Sequence, residues 1–359
     1  MGIVVVKFGG TSVATAEGRK AAISHIASFK ESGKQVIAVV SAMGRKGSPY
    51  ATDTLISLLS KDSKPENLDL LMSCGEVISA CVFADSLIQR GIDAIPLTSW
   101  QAGIITNGIF GSADIIDSTT NRINTELYEN KVVVITGFQG ISARNEMTTL
   151  GRGGSDTSAV VIGGLMKAEA VYIFTDVPGI AIIDPKIVPG AKFTEHIDNR
   201  HMHTLALWGA RIVHPRAIAE AQKYNMDVYV RSTFHQELGT KIEKNSKNYD
   251  GPVGIALMKE CNLFNPEEGD KLIAEGDGEK KAVRSVPGSK YSLLTVVFSG
   301  YSKEKIKNSM EDLPVKSKLF INELCAHIFI ESRQAKSLAN DLYSRLFGKV
   351  SADIQKISV

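Results

Sequence analysis

The residues best suited to chemistry lie in four glycine-rich turns, each expected at the end of a strand. The turns are 7–12 (KFGGTS), 136–140 (TGFQG), 151–156 (GRGGSD) and 175–179 (TDVPG). Glycine lets backbone N–H groups approach a phosphate closely, and a following helix adds its positive N-terminal end. One such turn is common, but four at one sheet edge predict a phosphate-binding site. The sequence has neither a Walker A motif nor G-x-G-x-x-G, which excludes a P-loop enzyme and a standard dinucleotide binder.

Three charged residues in these turns have both a structural and a functional interpretation. Lys7 ends an apolar strand, where it either reaches solvent or serves as a fixed cation for a transferred phosphoryl group. Arg152 is either a solvated loop residue or a bidentate clamp for a carboxylate. Asp156 caps a predicted helix, contributes to the site, or does both.

Two further acids have equally open roles. Glu76 is the only acid between Leu70 and Ala84, and it is either an exposed helix position or a ligand contact beside a glycine. Asp176 either caps a turn or accepts a hydrogen bond from a ribose hydroxyl. The 7 histidines and 4 cysteines show no metal-ligand spacing, so we predict no metal site built from protein side chains alone.

The elements that must position these residues alternate between buried strands and helices. The strands are predicted at 3–8, 35–41, 131–136, 170–175 and 227–231, and the main helices at 67–90, 155–167 and 214–224. Continuous apolar strands separated by helices are typical of a parallel sheet covered by helices on both faces. The predicted fold class is therefore α/β, with a glycine-rich loop at 137–154.

The composition is that of a globular protein. The chain has 359 residues, a formal net charge of +2 and 43% hydrophobic residues, which suggests two or three domains. The balanced charge argues against nucleic acid as a partner. No apolar run approaches the roughly 20 residues of a membrane helix, and no signal peptide is evident. We expect a cytoplasmic protein with no membrane partner.

Beyond residue 252 the pattern changes to a smaller α+β region. Its strands are predicted at 293–299 and 326–331, and its helices at 303–313 and 334–347. We therefore predict two domains, 1–243 and 252–359, with 232–251 as a polar linker. A charged loop or irregular edge is expected at 266–281.

The turns together resemble the motifs of the aspartokinases, within the amino acid kinase superfamily. The matching segments are 7–13 (KFGGTSV), 136–140 (TGFQG), 148–158 (TTLGRGGSDTS), 175–180 (TDVPGI) with Asp184-Pro185, and 209–215 (GARIVHP). The resemblance runs from residue 1 to about 243. It separates the aspartokinases from acetylglutamate, glutamate and nucleoside-monophosphate kinases, which share the fold but have different loops.

The resemblance implies transfer of the γ-phosphoryl group of ATP, with Mg²⁺, to the side-chain carboxylate of L-aspartate. Lys7 and the Gly9 and Gly10 amides would stabilise the phosphoryl group, and Asp156 would position Lys7 or the metal–phosphate assembly. The residues implied to bind aspartate are Ser41, Thr52, Glu76, Arg152 and Ser155. Those implied to hold the nucleotide, beside Lys7, Gly9 and Gly10, are Thr175, Asp176, Asp184, Lys186 and Arg211.

Three positions depart from the aspartokinase pattern. Ala181 stands where the family usually has Tyr near the adenine, Lys186 where Arg is usual, and Arg211 where Lys is usual. None of these changes touches the implied phosphoryl or aspartate contacts, so we expect an active enzyme.

The tail resembles an ACT-type regulatory domain, a family module that binds lysine or threonine at a dimer interface. Segment 326–347 looks like its closing strand and helix, whereas 286–288 (VPG) only faintly resembles the usual Asp-x-Pro-Gly turn. We expect a divergent ACT-like region, weakened, altered or absent feedback inhibition, and a homodimer or higher homo-oligomer. The alternatives are a related kinase with another acceptor, such as glutamate, and an inactive amino-acid sensor.

Overall fold

The computed structural model describes residues 2–244, 250–264, 272–276, 279–313 and 317–348. The chain divides into two compact units. The first unit comprises Met1–Gly179 and Arg216–Glu243, and the second comprises Ile180–Pro215 and Lys244–Val359. Residues 180–215 therefore pack with the C-terminal part of the chain, which differs from the continuous division at 243/252 that the sequence suggests. The last residues of the predicted second domain lie outside the described residues.

The helices and strands are numbered along the chain. The helices are α1 (Gly10–Val13), α2 (Ala16–Glu31), α3 (Thr52–Ile56), α4 (Pro65–Ile88), α5 (Asn121–Tyr128), α6 (Gly154–Leu165), α7 (Asn199–Leu207), α8 (Pro215–Tyr224), α9 (Lys303–Ser309) and α10 (Ser332–Phe347). The strands are β1 (Ile3–Phe8), β2 (Gln35–Val40), β3 (Ala94–Leu97), β4 (Ile104–Thr106), β5 (Ile115–Ser118), β6 (Val132–Thr136), β7 (Gln139–Ser142), β8 (Met147–Thr149), β9 (Ala170–Thr175), β10 (Ile180–Ala181), β11 (Phe193–Thr194), β12 (His196–Asp198), β13 (Val228–Ser232), β14 (Thr240–Glu243), β15 (Gly251–Met258), β16 (Cys261–Phe264), β17 (Leu272–Gly276), β18 (Glu279–Ser285), β19 (Tyr291–Ser299), β20 (Lys318–Ile321) and β21 (Cys325–Glu331).

The main sheet of the first unit confirms the predicted parallel architecture. Its strands from this unit run in the order β14-β13-β9-β1-β2-β6-β3. All neighbouring pairs are parallel except β13 with β14. The carboxyl ends of β1, β2, β6 and β9 therefore lie at one edge, which brings together the glycine-rich turns at 7–12, 136–140 and 175–179. The turn at 151–156 departs from the expectation, because it follows β8, which belongs to a separate small sheet.

Strand β1 shows why the sheet is covered on both faces. Val4, Val6 and Phe8 lie in the core cluster that also contains buried residues of α2 and α4. Val5 has the opposite parity and lies near Gly163 of α6. Because side chains alternate along a strand, Lys7 shares the face of Val5 and points toward the α6 side.

Helix α4 is the longest helix of the first unit, with 24 residues. By length and composition alone it could cross a membrane, because its most apolar window has a mean hydropathy of 1.6, a property that the search for a continuous apolar run does not detect. The helix instead buries Phe83 and Leu87 in the core of the unit and also buries two acids, Asp69 and Glu76. An apolar helix with such a pattern is a core helix of a globular unit.

Three segments predicted to be irregular contain strands. Strands β7 and β8 lie inside the loop predicted at 137–154 and form a small sheet in the order β5-β4-β7-β8. Strand β14 lies inside the predicted linker 232–251 and pairs with β13. Strand β17 and part of β18 lie inside 266–281, of which residues 266–271 and 277–278 are outside the described residues. These strands are short and polar, so they lack the apolar runs used to predict the main sheet.

The second unit confirms the predicted α+β region. Its main sheet is antiparallel, in the order β15-β19-β21-β20. Helices α9 and α10 contribute Ile306, Leu338 and Leu342 to a core shared with β19 and β21. A second antiparallel sheet has the order β16-β18-β17.

Candidate functional site

Lys7 and Asp156 form an ion pair at the carboxyl edge of the first unit. The Lys7 Nζ lies 2.7 Å from Asp156 Oδ1, and the two side chains are 13% and 11% exposed. Asp156 lies in the first turn of α6, where a carboxylate is also favoured by the helix dipole. The pair keeps a nearly buried cation at the end of β1, and this arrangement can stabilise a transferring phosphoryl group.

The adjacent glycines differ in what the fold demands of them. A Cβ on Gly10 would lie 2.6 Å from the carbonyl oxygens of Ala42 and Gly44, so glycine is required there for packing. Gly9 has an ordinary extended backbone, with φ −71°. A Cβ on Gly9 would meet Lys7 Nζ at 3.7 Å and Phe174 O at 3.9 Å, which are ordinary contacts. Neither the conformation nor the packing requires glycine at position 9, and the space beside Lys7 suits a ligand.

Glu76 is a buried carboxyl group close to the end of β2. It is 2% exposed, and the backbone N–H of Ala42 donates to its Oε1 at 3.0 Å. Its Oε2 is buried and has no hydrogen-bond partner among the described residues. Burial raises the pKa of Glu76 to about 8, against the smaller lowering effect of the Ala42 amide. Such a group is suited to receive a cation.

Gly75 allows α4 to pack closely, whereas the sequence suggested that this glycine lets a ligand approach Glu76. A Cβ there would lie 2.9 Å from both Ala42 Cβ and the Tyr50 carbonyl oxygen. Glycine therefore lets α4 approach the segment after β2 closely. This approach is what brings Glu76 within hydrogen-bond distance of the Ala42 amide.

Arg152 lies in a turn between two glycines with left-handed backbone. Gly151 and Gly153 have φ of +73° and +69°, a conformation that favours glycine. Arg152 is exposed, and among the described residues it forms no hydrogen bond or ion pair. The guanidinium is therefore available for an anionic ligand.

The other predicted aspartate-binding residues lie at the ends of the same elements. The Ser41 N–H donates to Phe8 O at 3.2 Å, which places Ser41 beside the end of β1. Thr52 begins α3. Ser155 lies against the turn after β6, because a Cβ on Gly137 would be 2.8 Å from its Oγ.

Thr175 ends β9 and Asp176 follows it, and the structure pairs Asp176 with a residue that the sequence motifs did not point to. Arg45 Nη2 lies 2.6 Å from Asp176 Oδ2, with side chains 69% and 42% exposed. Thr175 Oγ1 donates to the other carboxylate oxygen at 3.1 Å. The only sequence signal for Arg45 was its place in the polar segment after Gly44.

The predicted nucleotide residues of the second unit are exposed. Asp184 stabilises its own turn, because its Oδ1 accepts from the Lys186 N–H at 2.9 Å. Lys186 and Arg211 both expose their side chains. Ala181 is buried and pairs with Phe193 between β10 and β11.

Across the part of the chain that the structure describes, no three His, Cys, Asp or Glu side chains are grouped as metal ligands. A metal ion bound near Lys7 and Asp156 would therefore take most of its ligands from water and substrate rather than from protein side chains. Mg²⁺ commonly does so, because it binds one or two carboxylates together with water and substrate phosphates. The Asp156 carboxylate beside Lys7 is compatible with that mode.

The amino acid kinase family model matches residues 2–232. Aspartokinase 1 of Bacillus subtilis (strain 168) is 42% identical over 274 residues, covering 74% of this chain and 68% of that protein. Aspartokinase 2 of the same organism is 41% identical over 249 residues, covering 68% of this chain and 60% of that protein. The aligned part thus spans roughly two thirds or less of these relatives' length.

Two solved structures of E. coli aspartokinase III are similar over almost the whole chain. The complex with aspartate and ADP (R-state) has a TM-score of 0.81 and 21% identity, covering 96% of this chain and 100% of that chain. The complex with lysine and aspartate (T-state) has a TM-score of 0.74 and 20% identity, covering 96% and 99%. At this identity the similarity establishes the fold.

Proposed function

The chain belongs to the amino acid kinase family, and within it to the aspartokinases, and we propose that it phosphorylates the side-chain carboxylate of L-aspartate with ATP. The product would be 4-phospho-L-aspartate, the first intermediate toward lysine, threonine and methionine. The observation that carries the proposal is the nearly buried Lys7–Asp156 pair, 2.7 Å apart, at the edge where the glycine-rich turns meet. Phosphoryl transfer needs such a fixed charge more than it needs acid or base groups.

The proposed roles at the phosphoryl group follow from this pair. Lys7 neutralises charge on the transferring group, and Asp156 holds the Lys7 ammonium in place. The backbone of Gly9 and Gly10 approaches the phosphates, supported by the unfilled space at Gly9. Mg²⁺ bound mainly by phosphate oxygens, with Asp156 as the facing carboxylate, would add positive charge there.

The proposed aspartate site combines Glu76 and Arg152. Glu76 receives the α-ammonium group, because its buried Oε2 has no hydrogen-bond partner within the described part of the chain. Since that atom has no contact with solvent, neighbouring side chains must shift to admit the ligand. Arg152 receives the α-carboxylate, and Ser41, Thr52 and Ser155 contribute hydroxyl groups to the remaining wall.

The proposed nucleotide site includes Thr175 and Asp176 at the end of β9. For Asp184, Lys186 and Arg211 we retain the nucleotide-binding role that the aspartokinase motifs imply. Their exposed side chains are available for that role.

The reaction requires no general base, because the nucleophile is already a carboxylate. A carboxylate oxygen of aspartate attacks the γ-phosphorus, the bond to the β,γ-bridging oxygen breaks, and ADP leaves with the electron pair. Alignment of the two substrates and charge stabilisation by Lys7 supply the rate.

We further propose that the second unit is an ACT-like regulatory region, in line with its antiparallel α+β sheet. Feedback inhibition by lysine or threonine is proposed to be weakened, altered or absent, since 286–288 (VPG) only faintly resembles the usual turn. The proposal includes a homo-oligomeric enzyme in the cytoplasm. Titration of the pure enzyme with lysine, threonine and diaminopimelate tests the regulatory part, and strong inhibition by any of them would contradict it.

The central test is hydroxylamine trapping of the acyl phosphate with Mg-ATP and L-aspartate, run beside L-glutamate. We expect aspartyl hydroxamate from the wild type and almost none from Lys7→Ala. Lys34→Ala is the matched control, because Lys34 is also ion-paired, to Glu169 at 2.6 Å, but on the surface. Preference for glutamate would overturn the proposed reaction, and activity that survives Lys7→Ala would overturn the role proposed for Lys7.

A further inference from the structure

A buried carboxylate outside the predicted site connects the elements that carry Glu76 and Arg152. Asp69, near the start of α4, is 1% exposed. Its oxygens accept hydrogen bonds from the Gly111 N–H, which lies 2.9 Å from Oδ2 and 3.1 Å from Oδ1, and from the Thr149 N–H and hydroxyl at 2.7 and 2.9 Å. Among the described residues no cation pairs with Asp69, so these hydrogen bonds compensate its burial.

Thr149 ends β8 immediately before the turn that carries Arg152. A Cβ on Gly151 would lie 2.8 Å from the Gly111 carbonyl oxygen, so this turn packs directly on the loop that Asp69 holds. The Ala113 N–H also donates to Thr149 O at 2.9 Å. The backbone leading into Arg152 is thus fixed at several points.

Glu76 lies on the same helix as Asp69, seven residues further along. Both acids are buried, and a separation of seven residues places them on one face of the helix, roughly 10 Å apart along its axis. A single buried carboxylate therefore links the helix of Glu76 to the turn of Arg152.

A second residue, Arg216, holds the same backbone. Its guanidinium donates to Leu150 O at 2.8 Å and to Ala113 O at 2.6 Å, and it lies 2.7 Å from Asp114 Oδ1. Leu150 is two residues before Arg152. The turn is consequently held by a carboxylate and by a guanidinium.

We propose that Asp69 is a positioning residue that sets the separation of Arg152 from Glu76 and so determines how well α-amino acids bind. This inference rests on the proposed function. The ammonium and carboxylate groups that Glu76 and Arg152 bind share one carbon atom, so their separation is fixed. An error of about 1 Å in the protein can cost up to a hundredfold, and it would affect aspartate rather than ATP.

The hydrogen-bond pattern allows a test of whether Asp69 acts by positioning the backbone or through its negative charge. In Asp69→Asn, the amide oxygen can occupy the Oδ2 position and keep both backbone donors, so that only the longer contact of the Gly111 N–H with Oδ1, at 3.1 Å, is lost. The amide nitrogen can then donate to the Thr149 hydroxyl, which turns to accept. Asp69→Ala instead leaves the Gly111 and Thr149 N–H groups without partners. We therefore expect Asp69→Asn to retain aspartate binding and Asp69→Ala to weaken it.

The first measurement is the KM for each substrate in these variants. We expect Asp69→Ala to raise the KM for aspartate by between about tenfold and a hundredfold, with the KM for ATP within about twofold. Asp69→Asn should stay near the wild type. The matched control is Glu126→Gln, since Glu126 is also buried but is paired with Arg122 and Lys131; it should change neither KM.

The second measurement is a double-mutant cycle with Arg152→Ala. If Asp69 acts through Arg152, Asp69→Ala adds little once Arg152 is removed. Additive effects on the aspartate KM, or an Asp69→Asn variant as poor as Asp69→Ala, would overturn the positioning role. If Asp69→Ala does not fold, Arg216→Met replaces it in the same cycle with the same expectation. A wild type that forms no aspartyl hydroxamate would overturn the proposed function, and the positioning role with it.

Discussion

The ionisation of Glu76 gives the sharpest prediction for aspartate binding. Burial raises the pKa of its carboxyl group to about 8, so most of the free enzyme carries a protonated Glu76 at neutral pH. The α-ammonium group of aspartate pairs with the carboxylate. Binding at pH 7 must therefore release a proton from Glu76 in most molecules.

The magnitude follows from the pKa. With a value of about 8, roughly one free molecule in eleven is ionised at pH 7, which weakens the apparent affinity about tenfold, or about 1.4 kcal/mol. As the pH rises from 6 to 8, the KM for aspartate should fall about fiftyfold and then level off. In Glu76→Gln the KM should be high and nearly independent of pH.

The assay is the aspartate KM between pH 6 and 9, combined with calorimetry of aspartate binding in two buffers of different ionisation enthalpy. The calorimetric difference measures the protons released. Glu126→Gln is the control, because Glu126 is a buried but ion-paired acid and should keep the wild-type profile. A flat wild-type profile, or proton release that persists in Glu76→Gln, would refute the assignment of the ammonium to Glu76.

Three further predictions concern Arg152, the first glycine turn and the second unit. Arg152→Ala should raise the KM for aspartate roughly tenfold or more, since one partner of a charge pair is lost, while the KM for ATP stays unchanged; the reverse pattern would show that Arg152 serves the nucleotide. Gly9→Ala should keep the thermal unfolding midpoint but impair ATP use, whereas Gly10→Ala should lower the midpoint, because its Cβ would lie 2.6 Å from two carbonyl oxygens; equal thermal effects would contradict this contrast. Burial lowers the pKa of His327 to about 3, so the unfolded chain takes up a proton near pH 6.5 that the folded chain does not. Relative to His327→Asn, the free energy of unfolding should therefore fall by about 2 kcal/mol from pH 7 to pH 5, measured by urea denaturation; parallel curves would exclude His327 as the cause.

The main sheet could be predicted because each of its strands is marked by a short run of apolar residues in the sequence. Runs such as 3–6 and 132–135 are apolar at every position, and a strand buried on both faces accommodates them. The predicted ends of these strands agree with the structure to within about two residues, the margin expected for element boundaries. Three of the glycine-rich turns follow from the same argument, since parallel strands place them at one edge; the turn at 151–156 follows β8 of a separate sheet.

The short strands were not predictable in this way. Strands β7, β8 and β14 contain polar residues and are three or four residues long, so their periodicity is too brief to recognise. They exist because neighbouring strands satisfy their backbone N–H and C=O groups. Helix α4 illustrates the opposite case, where the element was predicted but the burial of its acids was not.

The sequence by itself determined the parallel sheet and most of its glycine-rich edge, and it proposed Lys7, Glu76, Arg152 and Asp156 as candidate site residues. Only the tertiary structure decided the contacts that set their chemistry. The bond from Thr149 to Asp69 joins residues 80 positions apart, and the contact of Arg216 with Leu150 joins residues 66 apart. The Oε2 atom of Glu76, which has no hydrogen-bond partner in the segments that the structure describes, likewise depends on packing around α4. No local pattern encodes such pairs, because burial and hydrogen-bond partners are fixed only when distant segments pack together.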